Sequence, residues 1–229
     1  MNDVKRPYAS ARRQAQARAT RRSIVDAAGE LFVQAGYGAT SLQQIADRAE
    51  VAVQTIYATF GNKRAVLEEL LDTAIAGDDE PVAVNDRDWM HDVFHHPDPH
   101  ARLQAYAASV AAILHRAGAV FSVLQAAVAA DPDLAPLAAT TEQRRRTGSA
   151  AIVSALNEMG ALRADLTVAE AVDVLWTLNS PDIYQRLVHD SGWPVERYQA
   201  WLAATMQTSL LPHGAGQPPG QAEMAQRIS

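Results

Sequence analysis

The side chains best placed to do chemistry lie between residues 53 and 63. Gln54, Thr55, Tyr57, Ala58, Thr59 and Lys63 fall within eleven residues, interleaved with the apolar Val53, Ile56 and Phe60. No nucleophile–base pair, phosphate loop or paired-carboxylate spacing is among them, so the chemistry is recognition rather than turnover. A Gln amide can pair bidentately with adenine, and a Thr can set its methyl against that of thymine. An Ala allows close approach to a base edge. Tyr57 adds an apolar ring with a hydroxyl that reaches a phosphate. Lys63 and the free N–H groups at a helix start suit another. Arg21 and Arg22 would straddle the same backbone, Thr40 and Ser41 would meet it at the start of a second helix, and Gln43 would face the groove wall. Together with Val53 at the start of the rod, these residues form the expected DNA-facing set.

Such a set works only if short helices hold it. From Ile24, apolar residues recur at Ala27, Ala28, Leu31, Phe32 and Ala35, one stripe of an α-helix that Gly36 ends. Ser41 with Gln44 matches a capping box ahead of Leu42, Ile45, Ala46 and Ala49. Val53, Ile56 and Phe60 give a third inward face, and Asn62 caps a fourth helix with Val66, Leu67, Leu70 and Leu71 inside. Helices this short and this close predict a helix-turn-helix whose later helix is free to enter a major groove.

This stretch resembles the tetracycline-repressor (TetR) family of transcriptional regulators. The resemblance rests on Gly36-Tyr37-x-x-Thr40-Ser41-x-x-x-Ile45-Ala46-x-x-Ala49-x-Val51, then Thr55-Ile56-Tyr57-x-x-Phe60-x-x-Lys63-x-x-Val66-Leu67. It covers about residues 20–70. It implies phosphate contacts at Thr40 and Lys63, and an operator-facing surface made by Gln43, Val53, Gln54, Thr55, Tyr57, Ala58 and Thr59. Two positions depart from the family pattern. Glu50 stands where a turn Gly is usual, and Ala52 where a capping Ser is usual; each costs on the order of 1 kcal/mol.

Charge supports the same division. Residues 1–64 hold ten Lys/Arg against five acids, a balance of +5, which leaves −11 of the chain's −6 total for residues 65–229. A basic end on an acidic body orients the molecule on a polyanion. The chain has no Cys, which rules out disulfides, thiolate metal sites and a Cys nucleophile. The basic, polar N-terminus lacks the apolar core of a secretion signal. The Ala-rich stretch 105–130 is interrupted by His115, Arg116 and Gly118, so no membrane span is expected and a cytoplasmic location is.

Four segments are expected: a disordered basic arm at 1–20, the DNA-binding domain at 21–66, an all-helical regulatory and dimerisation domain at 67–211, and a disordered Gly/Pro/Gln tail at 212–229. Within the body, a linker should span Gly77 to Pro99, with a short helix near Trp89. Helices should follow at about 100–117, 119–130, 134–159, 167–189 and 194–211, with Thr167 and Glu170 forming a capping box. The fold class is therefore all-α. Arg144, Arg145 and Arg146 point in different directions around a helix and are expected in solvent.

Residues 167–211 also look like the C-terminal half of one branch of the family, through Asp173-x-x-Trp176, Ser180-Pro181-x-x-Tyr184, Gly192-Trp193 and Tyr198-x-x-Trp201-Leu202. This implies that the last two long helices pair with their symmetry mates. Ile183, Leu187 and Trp193 form one stripe, and Tyr198, Trp201, Leu202, Thr205 and Met206 another; both are expected at a homodimer face. A small-molecule effector is expected between bundle helices, near Tyr106, His115, Phe121, Gln125, Trp176 and Asn179.

The expected function is a DNA-binding transcriptional regulator. It is a repressor that holds a palindromic operator as a homodimer and is released by a small molecule of unknown identity. The alternatives are an all-α enzyme using the His and Asp residues of 88–100, and a constitutive DNA binder. His91 and His95 are spaced i, i+4, as two metal ligands on a helix would be. The prolines and loop-like context favour a solvated linker, so no metal or cofactor is expected.

Overall fold

The computed structural model describes residues 5–78 and 90–212, with side chains from residue 12 onward. All regular structure among them is helical: α1 (Lys5–Ala35), α2 (Leu42–Arg48), α3 (Val53–Phe60), α4 (Lys63–Ala76), α5 (His91–His95), α6 (Pro99–Val128), α7 (Ala135–Glu158), α8 (Val168–Leu178), α9 (Pro181–Tyr184) and α10 (Val195–Leu210).

The arm expected to be disordered is helical from Lys5 and continuous with α1. The physical reason is local. Residues 8–23 contain neither Gly nor Pro and are rich in Ala, Arg and Gln, all strong helix formers, and Pro7 falls in the first turn, where its missing N–H costs nothing. The core stripe of α1 begins only at Ile24, with Val25, Ala27, Ala28 and Phe32 buried beside it. The first four residues and the tail from 213 on lie outside the described residues.

Two helix boundaries in the body differ from expectation. Gly118 does not end a helix; α6 runs through it for 30 residues. Gly118 is buried, and an added Cβ there would meet the Tyr184 ring at 3.6 Å, so α9 packs closely over this point. The single helix expected at 167–189 is broken. Asn179 caps α8, Ser180 is extended and accepts from the Asp182 N–H as the N-cap of α9, and the chain re-enters helix as α9, which continues as a π-helical turn through Gln185–Asp190. Proline at position 181 enforces the break, because the residue before a proline avoids the helical region.

Where it is described, the linker expected at 77–99 holds a short helix close to the expected position, but a packed one rather than a solvated one. Met90 and Val93 are buried, and α5 packs on α6. α6 is the central spindle, touching α1, α4, α5, α7, α9 and α10. Among the described residues it is the helix long and apolar enough to cross a membrane. Its apolar side chains, including Leu103, Val110, Leu114, Phe121 and Leu124, are instead buried against these neighbours.

Candidate nucleic-acid interface and effector cavity

The turn between α2 and α3 is closed by backbone bonds. The Glu50 N–H donates to the Asp47 carbonyl and the Val51 N–H to the Ala46 carbonyl, at 3.3 and 3.0 Å. This pattern needs a left-handed residue after the helix, and Glu50 supplies it at φ +55°, a conformation that strains any residue but Gly. The Ser23 hydroxyl donates to the Ala49 carbonyl and pins this turn to α1. Upstream, Ser41 and Gln44 make both bonds of the capping box. Ala52 precedes α3 in an extended conformation, and its side chain makes no cap bond.

α3 turns Ile56 wholly into the core, with Val53 and Phe60 packed against it. Its opposite side holds Gln54, Tyr57, Ala58 and Thr59, all exposed; Tyr57 is 55% exposed, large for an aromatic ring. Thr55 is half-buried. The Thr59 hydroxyl donates to the Thr55 carbonyl at 2.7 Å, which leaves its methyl and oxygen lone pairs outward. Gln43 is exposed on α2, its amide donating to Asp47 at 2.7 Å. Ser41 and Arg22 are exposed as well, the latter 3.9 Å from Asp26.

Four of the residues expected at DNA are engaged within the protein. Val53 faces inward, since it shares the Ile56 side of the helix. The Thr40 side chain is only 2% exposed, and its hydroxyl donates inward to the Gly36 carbonyl at 2.9 Å, with the Leu31 carbonyl at 3.3 Å. It closes the α1–α2 corner rather than meeting a phosphate. Arg21 donates twice to Glu69 on α4, each at 2.6 Å, and its guanidinium lies 4.6 Å above the Phe60 ring. The Glu69 hydrogen bond holds its pKa above the ordinary Arg value. The Lys63 ammonium donates to the carbonyls of Tyr37 and Thr40 at 2.8 and 2.9 Å and sits 4.1 Å over the Tyr37 ring, with its pKa lowered by burial. Two of its three protons are thus committed inside the protein.

The family model for "Bacterial regulatory proteins, tetR family" matches residues 24–70, the α1–α4 unit just described. Residues 24–70 therefore carry a DNA-binding unit of that family. A stretch of 54 residues of this chain is 44% identical to the uncharacterized HTH-type transcriptional regulator YvkB of Bacillus subtilis; the match takes in 24% of this chain and 29% of YvkB. Solved structures share the whole fold at low identity. SmeT, described as the repressor of a Stenotrophomonas maltophilia multidrug efflux pump, is similar in its complex with triclosan at a TM-score of 0.66 and 17% identity, over 88% of this chain and 96% of SmeT. The fatty acid degradation regulator FadR of Bacillus halodurans aligns at 0.64 and 17%, over 81% of this chain and 93% of FadR.

In the body of the chain, a cavity of about 1360 Å³ lies beneath α4, walled by α5, α6 and α7 and reaching Asn179. Tyr106, Phe121 and Asn179 line it, as expected from sequence. Gln125 and Trp176 instead line a smaller cleft of about 590 Å³ that shares Phe121. His115 lines neither: it is exposed, and its Nδ1 stands 3.2 Å from the Tyr184 hydroxyl.

The cavity floor is a hydrogen-bond network. The Asn179 amide donates to the Tyr106 hydroxyl at 2.8 Å and to Ser149 at 3.0 Å, and Arg145 donates to the Asn179 carbonyl at 2.8 Å. Arg145 also binds Glu142 at 2.6 Å and the Trp176 carbonyl at 3.1 Å. The expectation of solvent is corrected for Arg145 alone, which is mostly buried; Arg144 and Arg146 stand largely in solvent, paired with Asp72 and Asp173. Glu142 three residues ahead of Arg145 was the available signal. Desolvation raises the Tyr106 pKa.

The dimer stripes divide. Tyr198, Leu202 and Met206 are fully buried within the subunit, where α10 packs on α6. They are core, and the expectation for them is corrected. Ile183, Leu187, Trp193, Trp201 and Thr205 remain half-buried, with the two Trp rings edge to face at 6.3 Å. In the 90–100 stretch, the His91 and His95 rings stack at 4.5 Å and Asp98 caps α6. Among the described residues no three His, Cys, Asp or Glu gather as metal ligands; Asp88 lies outside them.

Proposed function

We propose that this chain is a DNA-binding transcriptional regulator, acting in the cytoplasm as a repressor without enzymatic activity. It holds a palindromic operator as a homodimer and leaves it when a small molecule binds. The observation that carries the reading is α3: Ile56 is sunk in the core while Gln54, Tyr57, Ala58 and Thr59 stand free on one side. Gln54 can pair with adenine and Tyr57 can reach a phosphate, with Arg22 and Ser41 beside them. The half-buried Ile183, Leu187, Trp193, Trp201 and Thr205 are the surface offered to a second copy, which would set two α3 rods one DNA turn apart. The cavity under α4 is the effector site. α4 is both its roof and the support of the reader, so a bound molecule that favours a different α4 position shifts the population away from the DNA-competent spacing.

The test is binding to duplex DNA from upstream of the protein's own gene across a salt series. A defined site with a steep salt slope is expected. Gln54→Ala and Tyr57→Ala together should abolish site binding while the mass in solution stays that of a dimer. Undiminished binding would remove α3 as the reader.

A further inference from the structure

We infer that the cavity beneath α4 takes a neutral, largely apolar molecule that carries an alcohol or phenol group. The inference deepens the proposed effector response and rests on the cavity assigned to it.

The charge class follows from the walls. Every charged side chain lining the cavity is already matched. Glu69 is held by Arg21, Asp72 by Arg144 and Arg145 by Glu142, and Asp78 also has a partner within the protein. A charged ligand would lose its hydration against Ile113, Leu114, Phe94 and Ile152 and find no unpaired counter-charge. A neutral molecule loses little.

The polar group follows from the directions of the lining protons. The Ser109 hydroxyl donates to the Ala105 carbonyl at 3.0 Å, and Thr141 to the Leu137 carbonyl at 2.9 Å. Each spends its proton on its own helix and can only accept from the cavity. The Tyr106 hydroxyl accepts from Asn179, so its own proton can turn to Ser149 or to a group in the cavity. Tyr106 and Ser109 are i, i+3 on α6 and therefore neighbours. A cavity lined by one donor that can turn into it and by two acceptors is answered by a group that gives one proton and takes another, which an O–H does. A carbonyl or ether would leave the acceptors unanswered, and an ammonium would meet a donor.

The test uses four probes of one shape: 2-naphthol, 2-methylnaphthalene, 2-naphthoate and 2-naphthylmethylammonium. Calorimetry measures their binding to the full-length protein at pH 7 without DNA. 2-Naphthol is expected to bind tightest, and the two ions at least about tenfold more weakly. Tyr106→Phe should cut 2-naphthol affinity about 3- to 10-fold and leave 2-methylnaphthalene unchanged. Ser109→Ala should act in the same sense and serves if the first variant does not fold. Ile113→Trp, which fills the cavity, should remove binding of all four. An ion binding as tightly as 2-naphthol, no binding by any probe, 2-naphthol affinity indifferent to both polar variants, or binding that survives Ile113→Trp would each overturn the inference. DNA binding is measured on the same preparations without probe, so a failure of the regulator reading shows there and not in the probe ranking.

Discussion

Replacing Glu50 by Gly and Ala52 by Ser should make the protein more stable, because both positions carry a local cost in the native backbone. Glu50 holds φ +55°. A left-handed non-Gly residue costs roughly 1–2 kcal/mol. Glycine removes that strain but gives back about 0.4–1 kcal/mol through the freer unfolded chain, for a net gain of about 0.5–1 kcal/mol. Ala52 already has the extended geometry of an N-cap at φ −70° and ψ 141°, and its carbonyl accepts from the Thr55 N–H at 2.8 Å; only a side-chain acceptor is lacking. A Ser there should contribute about 1 kcal/mol. The sites are two residues apart, so a few tenths of non-additivity are expected. The sum, about 1.5–2 kcal/mol, corresponds to a rise in Tm of roughly 3–8 °C for a chain of this size. α1 and α4 both pack on α6 of the body, so the rise should appear in the main transition of a calorimetric scan. A Glu50→Gly variant that melts at or below the parent temperature would show that the left-handed turn is not strained.

Tyr198→Phe should raise Tm by about 2–4 °C, because the Tyr198 hydroxyl is buried without a hydrogen-bond partner and an orphaned group costs about 1 kcal/mol or more. Asn179→Ala should destabilise by about 2–4 kcal/mol in urea melts, since it strips a partner from Tyr106, Ser149 and Arg145 together. Gly148→Ala should stabilise by about 0.5–1 kcal/mol: the site is mid-helix in α7 and nothing lies within 4 Å of an added Cβ. Glu170 has its pKa lowered by the Thr167 hydroxyl and then by the Thr167 N–H. Its contribution is therefore complete above the ordinary carboxylate pKa and fades as pH falls through the lower folded value. The Tm gap between parent and Glu170→Ala should be full at neutral pH and close on acidification below about pH 4; a gap that widens in acid would contradict the assignment.

Local chemistry was legible in the sequence. Ser41 with Gln44, Thr167 with Glu170 and Asn62 all form the caps their spacing implies, because a cap involves residues three apart and no distant partner. The outward side of α3 was legible too, since Ile56 fixes which face is inward. What periodicity does not encode is the identity of the covering surface. Tyr198, Leu202 and Met206 form a stripe whether α6 or a second copy lies over it, and here α6 does. Polar residues carry a parallel ambiguity. Thr40, Lys63 and Arg21 have the groups that phosphates want, yet carbonyls and a carboxylate within the protein engage them here. Gly118 shows the same limit for backbone: a glycine that would end an isolated helix stays within α6 because Tyr184 packs against it.

The bonds of Lys63 have a mechanical meaning. Its ammonium stands at the first residue of α4 and grips two carbonyls of the α1–α2 corner, while Arg21 and Glu69 clamp the same pair of helices two turns further along. Two fixings on one shaft prevent swivelling about either. Such fixings favour a three-helix head that follows any tilt of the shaft as one solid piece, so that the aim of Tyr57 is tied to the position of α4.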